Sequence, residues 1–133
     1  MAQRPHVRAL LASEDAGEQL AGFVAVSADV NARVAPVYRI LVGAAASDAD
    51  AAALLGTLTT QRQQGQRLIA RALARTGELR PGLRERDAAD VIHALLSPEL
   101  YRLLVVDRGW KAARYRTWLT DLLVAQLLPG RAA

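Results

Sequence analysis

The sequence predicts an all-α fold: a single domain over residues 1–133, built as a bundle of about five to six helices. Three observations carry this. Ala, Leu, Arg and Gln are strong helix formers and dominate the chain, while β-branched residues are few in its middle segments. Apolar residues recur at helical spacing, and no window alternates apolar and polar residues as a half-buried strand would. Capping residues, prolines and glycines fall where such helices would begin and end.

A short first helix is expected over Pro5 to Ala12, closed by Ser13-Glu14-Asp15 as a cap for the next. A long helix then runs from Ala16 to about Ala46, with Leu20, Phe23, Val24, Val30, Val34, Val37, Tyr38 and Leu41 as its stripe. Pro36 removes a backbone donor and should kink or split this helix near Val34. After Ser47-Asp48 a third helix covers Asp50 to Arg75, with Leu54, Leu58, Gly65, Leu68, Ile69, Ala72 and Leu73 on one side. Gly77 is placed as the residue that ends it, and Leu79 to Leu83 as a turn around Pro81-Gly82.

A fourth helix begins near Glu85, where Asp87 and Asp90 favour its positive end, and reaches Leu96. Ser97-Pro98 reads as an N-cap and a first-turn proline, opening a fresh or kinked segment with Leu100, Leu103, Leu104 and Val106. Asp107-Arg108-Gly109 stops it. The last helix covers Ala112 to Leu128, where Tyr115, Trp118, Leu119, Leu122, Leu123, Gln126 and Leu127 form a broad face before Pro129-Gly130.

Composition narrows the function classes. A chain of 133 residues can bury a core without staples. It has no cysteine, so disulfides and thiolate metal sites are excluded, and a reducing, cytoplasmic location fits. No apolar stretch follows the first charged residues as in a leader peptide, and no apolar run has the length of a membrane span, so no membrane partner is expected. The net charge of +4 is mild, and all but Lys111 of the 17 basic residues are arginine. Arg67, Arg71 and Arg75, with Arg62 nearby, make a row that could track phosphates. No aromatic residue interleaves it, and a solvated helix face explains it as well.

No catalytic residue and no metal or cofactor site is predicted. Asp90, His93 and Ser97 put an acid, an imidazole and a hydroxyl in line, but Ser97 precedes a proline and suits a cap. Asp90 and His93 also have the i, i+3 spacing of a carboxylate–histidine metal motif, for which helical di-metal sites need a second copy. The other histidine, His6, lies in the N-terminal segment. His93 therefore reads as a polar group between helices or at a pocket wall. Asn31, Gln61 and Gln64 lie beside apolar stripes, either as surface groups or as the sparse polar groups that orient a ligand in an apolar cavity.

The last two helical segments carry more apolar surface than one buried stripe needs. A helix that is apolar nearly all round needs a second partner, so a second copy of the chain is expected there. The interface is placed on Leu96, Leu103, Trp118, Leu119, Leu122 and Leu123, with Trp118 as its aromatic anchor.

One stretch carries a resemblance: Ala88-Ala-Asp-Val-Ile-His-Ala-Leu-Leu-Ser-Pro-Glu-Leu-Tyr-Arg-Leu-Leu-Val105, continued by Arg108-Gly109-Trp110 and Tyr115-Arg116-Thr117-Trp118-Leu119 and preceded by Gly77-Glu-Leu-Arg-Pro81. From about Arg33 onward the chain resembles the C-terminal ligand-binding and dimerisation domain of tetracycline-repressor-like (TetR) bacterial transcriptional regulators. The resemblance implies a small, mostly apolar effector held among central helices. It also implies a four-helix bundle made by the last two long helices of each of two subunits. Phe23, Tyr38, Leu58, His93 and Tyr101 would then converge on the effector.

The family's DNA-reading helix-turn-helix precedes this domain, and the chain begins about where that head would end. It is therefore not expected to bind DNA sequence-specifically on its own, whether it is a trimmed fragment or a natural headless relative. Two other readings stay open. One is a headless protein that pairs with a full-length regulator or sequesters a ligand. The other is a small helical enzyme.

Overall fold

A computed structural model describes residues 5–130, which are helical with no strand among them. The helices are α1 (Pro5–Ala12), α2 (Ala16–Ala45), α3 (Ala49–Arg75), α4 (Glu85–Leu95), α5 (Pro98–Tyr101) and α6 (Ala112–Leu127), and α5 runs on into a π-helical stretch, Arg102–Asp107. The all-α bundle predicted from periodicity is the observed fold.

The helix starts follow the capping chemistry. Asp15 accepts the Glu18 N–H at 3.0 Å to open α2, and Asp48 accepts those of Asp50 and Ala51 at 2.9 and 3.2 Å to open α3. Ser97 Oγ accepts the Leu100 N–H at 3.1 Å and begins α5 with Pro98 in its first turn. Gly77 ends α3 at φ 74°, the left-handed conformation that only glycine adopts without strain. Distant groups close two further ends. Glu78 Oε2 accepts the Ala16 N–H at 2.8 Å, and the Arg80 backbone N–H donates to the Leu127 carbonyl at 2.8 Å. Gln19, fully buried, donates from Nε2 to the Leu10 and Ser13 carbonyls at 3.0 and 2.7 Å and so satisfies the end of α1.

Pro36 does not split α2, which is continuous from Ala16 to Ala45. The proline leaves the carbonyl four residues back, on Ala32, without its helical donor. Ala32 and Pro36 are both exposed, so water can meet the freed group.

α2 is the centre of the bundle and packs against α1, α3, α5 and α6. By length and composition alone it could cross a membrane, with a mean hydropathy of 1.2 over its best 18-residue window. In the fold it buries the polar Gln19 and Asn31 among these neighbours. The core joins Leu20 and Val24 of α2 to Leu73 of α3, Ile92 of α4, and Tyr115, Leu119, Leu123 and Leu127 of α6, all fully buried.

This core corrects part of the expected interface. Leu119 and Leu123 have no exposed surface and Leu96 only 4%, because α6 lies directly on α2 and α4. These three residues hold their own subunit together and have nothing left to give a partner. Leu103 and Trp118 remain exposed, and Leu122 is half-buried.

The stripe expected on α3 is also redistributed. Ala51 is the one buried residue in the first half of that helix, and Leu54, Leu58 and Leu68 are exposed. Below them Gln66, Ala70, Ala72 and Leu73 are buried, where α4 also packs on α3.

Candidate functional site

A cavity of about 830 Å³ lies between α2 and α3 and is also lined by Val7 and Leu11 of α1 and by Leu96 and Pro98. Its volume is in the range of small-molecule sites, roughly 300–1,000 Å³. The two long walls differ. Along α2, Phe23, Val26, Val30, Val34 and Val37 recur at helical spacing and form an apolar wall. Along α3, Leu58, Leu68 and Ile69 alternate with Gln61, Arg62, Gln64 and Gln66. Val34, Val37, Leu58 and Leu68 are exposed, so the cavity opens to solvent along this edge.

Three of the five residues expected at an effector, Phe23, Tyr38 and Leu58, line the cavity. His93 does not reach it. Its Nδ1 donates to Oε1 of Gln66 at 2.8 Å, so it stands one hydrogen bond behind the wall. Tyr101 is turned away. It ends α5 on the side facing α6, where its ring meets that of Tyr115 edge-on at 5.3 Å inside the core. Asn31, Gln61 and Gln64 all border the cavity. Asn31 is buried, and its Nδ2 donates to the Leu96 carbonyl at 3.3 Å, a carbonyl that also accepts from Ser27 Oγ at 3.3 Å.

The polar end of the cavity gathers around Arg62. Tyr38 donates its hydroxyl to Oε1 of Glu99, and both residues lie within electrostatic reach of Arg62. Partial burial and the Glu99 carboxylate push the Tyr38 hydroxyl above its ordinary range. Partial burial alone would raise Glu99. The Tyr38 hydroxyl, its own backbone N–H, Arg62 and Ser97 outweigh that and hold the carboxyl below its ordinary value. Arg62 itself makes no ion pair among the described residues, and its Nε is buried without a hydrogen-bond partner.

Arg62 and Glu99 were not picked out from the sequence as site residues, although a signal existed. Leu58, Arg62 and Gln66 follow at i, i+4 and i+8, one face of α3. Read with Arg67, Arg71 and Arg75, Arg62 had passed for part of a basic row. Those three arginines are exposed on other faces, and Arg71 reaches Glu85 at 4.0 Å. The line of Asp90, His93 and Ser97 is not assembled as a triad. Ser97 is occupied as a cap, His93 by Gln66, and Asp90 is exposed.

Apolar surface is exposed in two further places. One is on the C-terminal segments, with Leu103 and Val106 on the π-helical stretch and Trp118 on α6. Trp118 packs edge-on against Trp110 at 5.6 Å, and Arg114 lies over the Trp110 ring at 3.9 Å. The other is at the tip of the α2–α3 pair, with Val37, Ile40, Val42 and Leu54. No family model, no curated protein and no solved structure matches the chain.

Proposed function

We propose that this chain is the effector-sensing and dimerisation domain of a TetR-like transcriptional regulator. It would hold a small, mostly apolar ligand between α2 and α3 and pair with a second copy through its C-terminal segments. The observation that carries this reading is the α2–α3 cavity, an apolar wall facing a few polar side chains, which is the construction of a small-molecule site. The resemblance over residues 77–119 supports the class of protein, and the exposed Leu103, Val106 and Trp118 support the pairing. A cytoplasmic location goes with this role.

Titration with the neutral fluorophore N-phenyl-1-naphthylamine tests the reading. Saturable binding at one dye per protomer is the expected result. Fluorescence that rises without saturation would refute the sensor function.

A further inference from the structure

The cavity's one buried cationic donor without a partner indicates what its occupant carries. We propose that the ligand is a single-chain amphiphile whose compact anionic head, a carboxylate or a phosphate, is received by Arg62 while its apolar tail lies along the α2 wall. This rests on the α2–α3 cavity being the effector site.

The argument begins with the unmet donor. A guanidinium is always charged and presents its N–H groups in a fixed plane that matches carboxylate and phosphate oxygens. Burying one of those N–H groups unbonded is unfavourable, and a charged donor suffers more than a neutral one. Arg62 Nε is in this state, in the wall of an open cavity. The carboxylate within its reach does not relieve it. Glu99 is held by the Tyr38 hydroxyl and makes no ion pair with Arg62.

The rest of the lining points the same way. Among the described residues it contains two cations, Arg62 on α3 and the exposed Arg33 on α2, and no carboxylate. A cationic ligand would meet like charge there, and a neutral oxygen could accept from the buried donor but only through a weaker bond that leaves the charge unbalanced. The other groups on the α3 side, Gln61, Gln64 and Gln66, can donate through their amides to the same head. Opposite them, Phe23, Val26, Val30, Val34 and Val37 offer an apolar track along more than three turns of α2, flanked by Ser27, Asn31 and Arg33. A charged end at α3 and a long apolar face at α2 fit a head and a tail.

The test is displacement of bound N-phenyl-1-naphthylamine by four C12 amphiphiles below their micellar concentrations: dodecanoate, monododecyl phosphate, dodecanol and dodecyltrimethylammonium. At least one anion should displace the dye at concentrations about tenfold below dodecanol, the gain of one charge-assisted hydrogen bond, with the cation weakest. Whichever anion is tighter identifies the head. In Arg62→Gln the gap between the anions and dodecanol should close.

Dodecanol equal to both anions on the wild-type protein would overturn the proposal and leave the cavity reading standing. So would an Arg62→Gln protein that keeps the anion preference. If the dye itself fails to bind, both readings fall. The wild-type comparison does not depend on whether the variant folds.

Discussion

Gly65 offers a way to close the cavity without damaging the fold. It sits inside α3 on the cavity wall, and a Cβ built there meets nothing within 4 Å. Glycine in a helix interior costs about 0.8–1.0 kcal/mol relative to alanine, roughly twice the cost of phenylalanine. Gly65→Phe should therefore stabilise the helix by about 0.4 kcal/mol, and partial burial of the ring against the α2 valines adds to that. For a chain of this size the melting temperature should rise by about 2–5 °C.

The same ring takes space a ligand would use. Displacing about three carbons of a bound ligand, at about 0.8 kcal/mol each, weakens binding by about 2.4 kcal/mol, or about 60-fold. Thermal melts by circular dichroism and N-phenyl-1-naphthylamine titration read the two effects separately. A more stable protein that binds the dye poorly is the expected pair of results. Undiminished dye affinity would show that the space beside Gly65 is not where the ligand lies. A lowered melting temperature would show that this space is not open.

Three more outcomes follow from the structure. Leu103→Arg combined with Trp118→Arg should turn a dimer into a folded monomer in sedimentation equilibrium, because both side chains are exposed and the protomer's core does not need them. Ile40→Arg, on the other apolar patch, should leave the dimer intact, and a wild-type monomer at micromolar concentration would refute the pairing. Burial, with a smaller contribution from Tyr101, pushes the Tyr115 hydroxyl up to about 12. Its contribution to stability should be complete below pH 10 and lost as pH rises through 12, since the unfolded chain releases that proton first. Absorbance at 295 nm should show one phenolate forming near pH 12, and three tyrosines all titrating near 10 would contradict this. The chain alone should bind DNA only in a salt-sensitive, sequence-blind way, and salt-resistant preference for one operator in an anisotropy titration would count against the reading.

The fold was legible because helix formation here is decided locally. Asp15, Asp48, Ser97, Gly77 and Gly109 each mark a boundary through their own backbone or side-chain chemistry. What periodicity could not show is which apolar face meets which neighbour. Leu119 and Trp118 are adjacent on one helix, yet Leu119 is fully buried and Trp118 is 37% exposed. That difference depends on where α6 lies against α2 and α4, which no spacing within α6 records. Tyr101 went astray for the same reason, since beyond the break at Ser97 its ring meets Tyr115 of α6 in the core. The π-helical stretch was invisible too. There Arg102 and Asp107 pair at 2.6 Å across an i, i+5 interval, whereas helical rules look for partners at i+3 or i+4.

The hydrogen bonds at the end of α4 connect the cavity to the surface proposed for pairing. The Leu96 carbonyl accepts from Ser27 and Asn31, and His93 donates to Gln66. Ser27, Asn31 and Gln66 all line the cavity. Immediately beyond Leu96, the Ser97 cap sets the direction of α5 and of the π-helical stretch that carries Leu103 and Val106. A ligand that draws Asn31 Nδ2 from the Leu96 carbonyl, or turns the Gln66 amide away from His93, competes with bonds that fix α4 and its break. Each such bond is worth about 0.5–1.5 kcal/mol net. Two or three of them together match the 1–3 kcal/mol typical of coupling between an effector site and a distant one. Under the proposed function the signal needs no long path through the core. It needs only the exchange of a few polar contacts at one helix end, between a wall that touches the ligand and a segment whose outer face meets the second subunit.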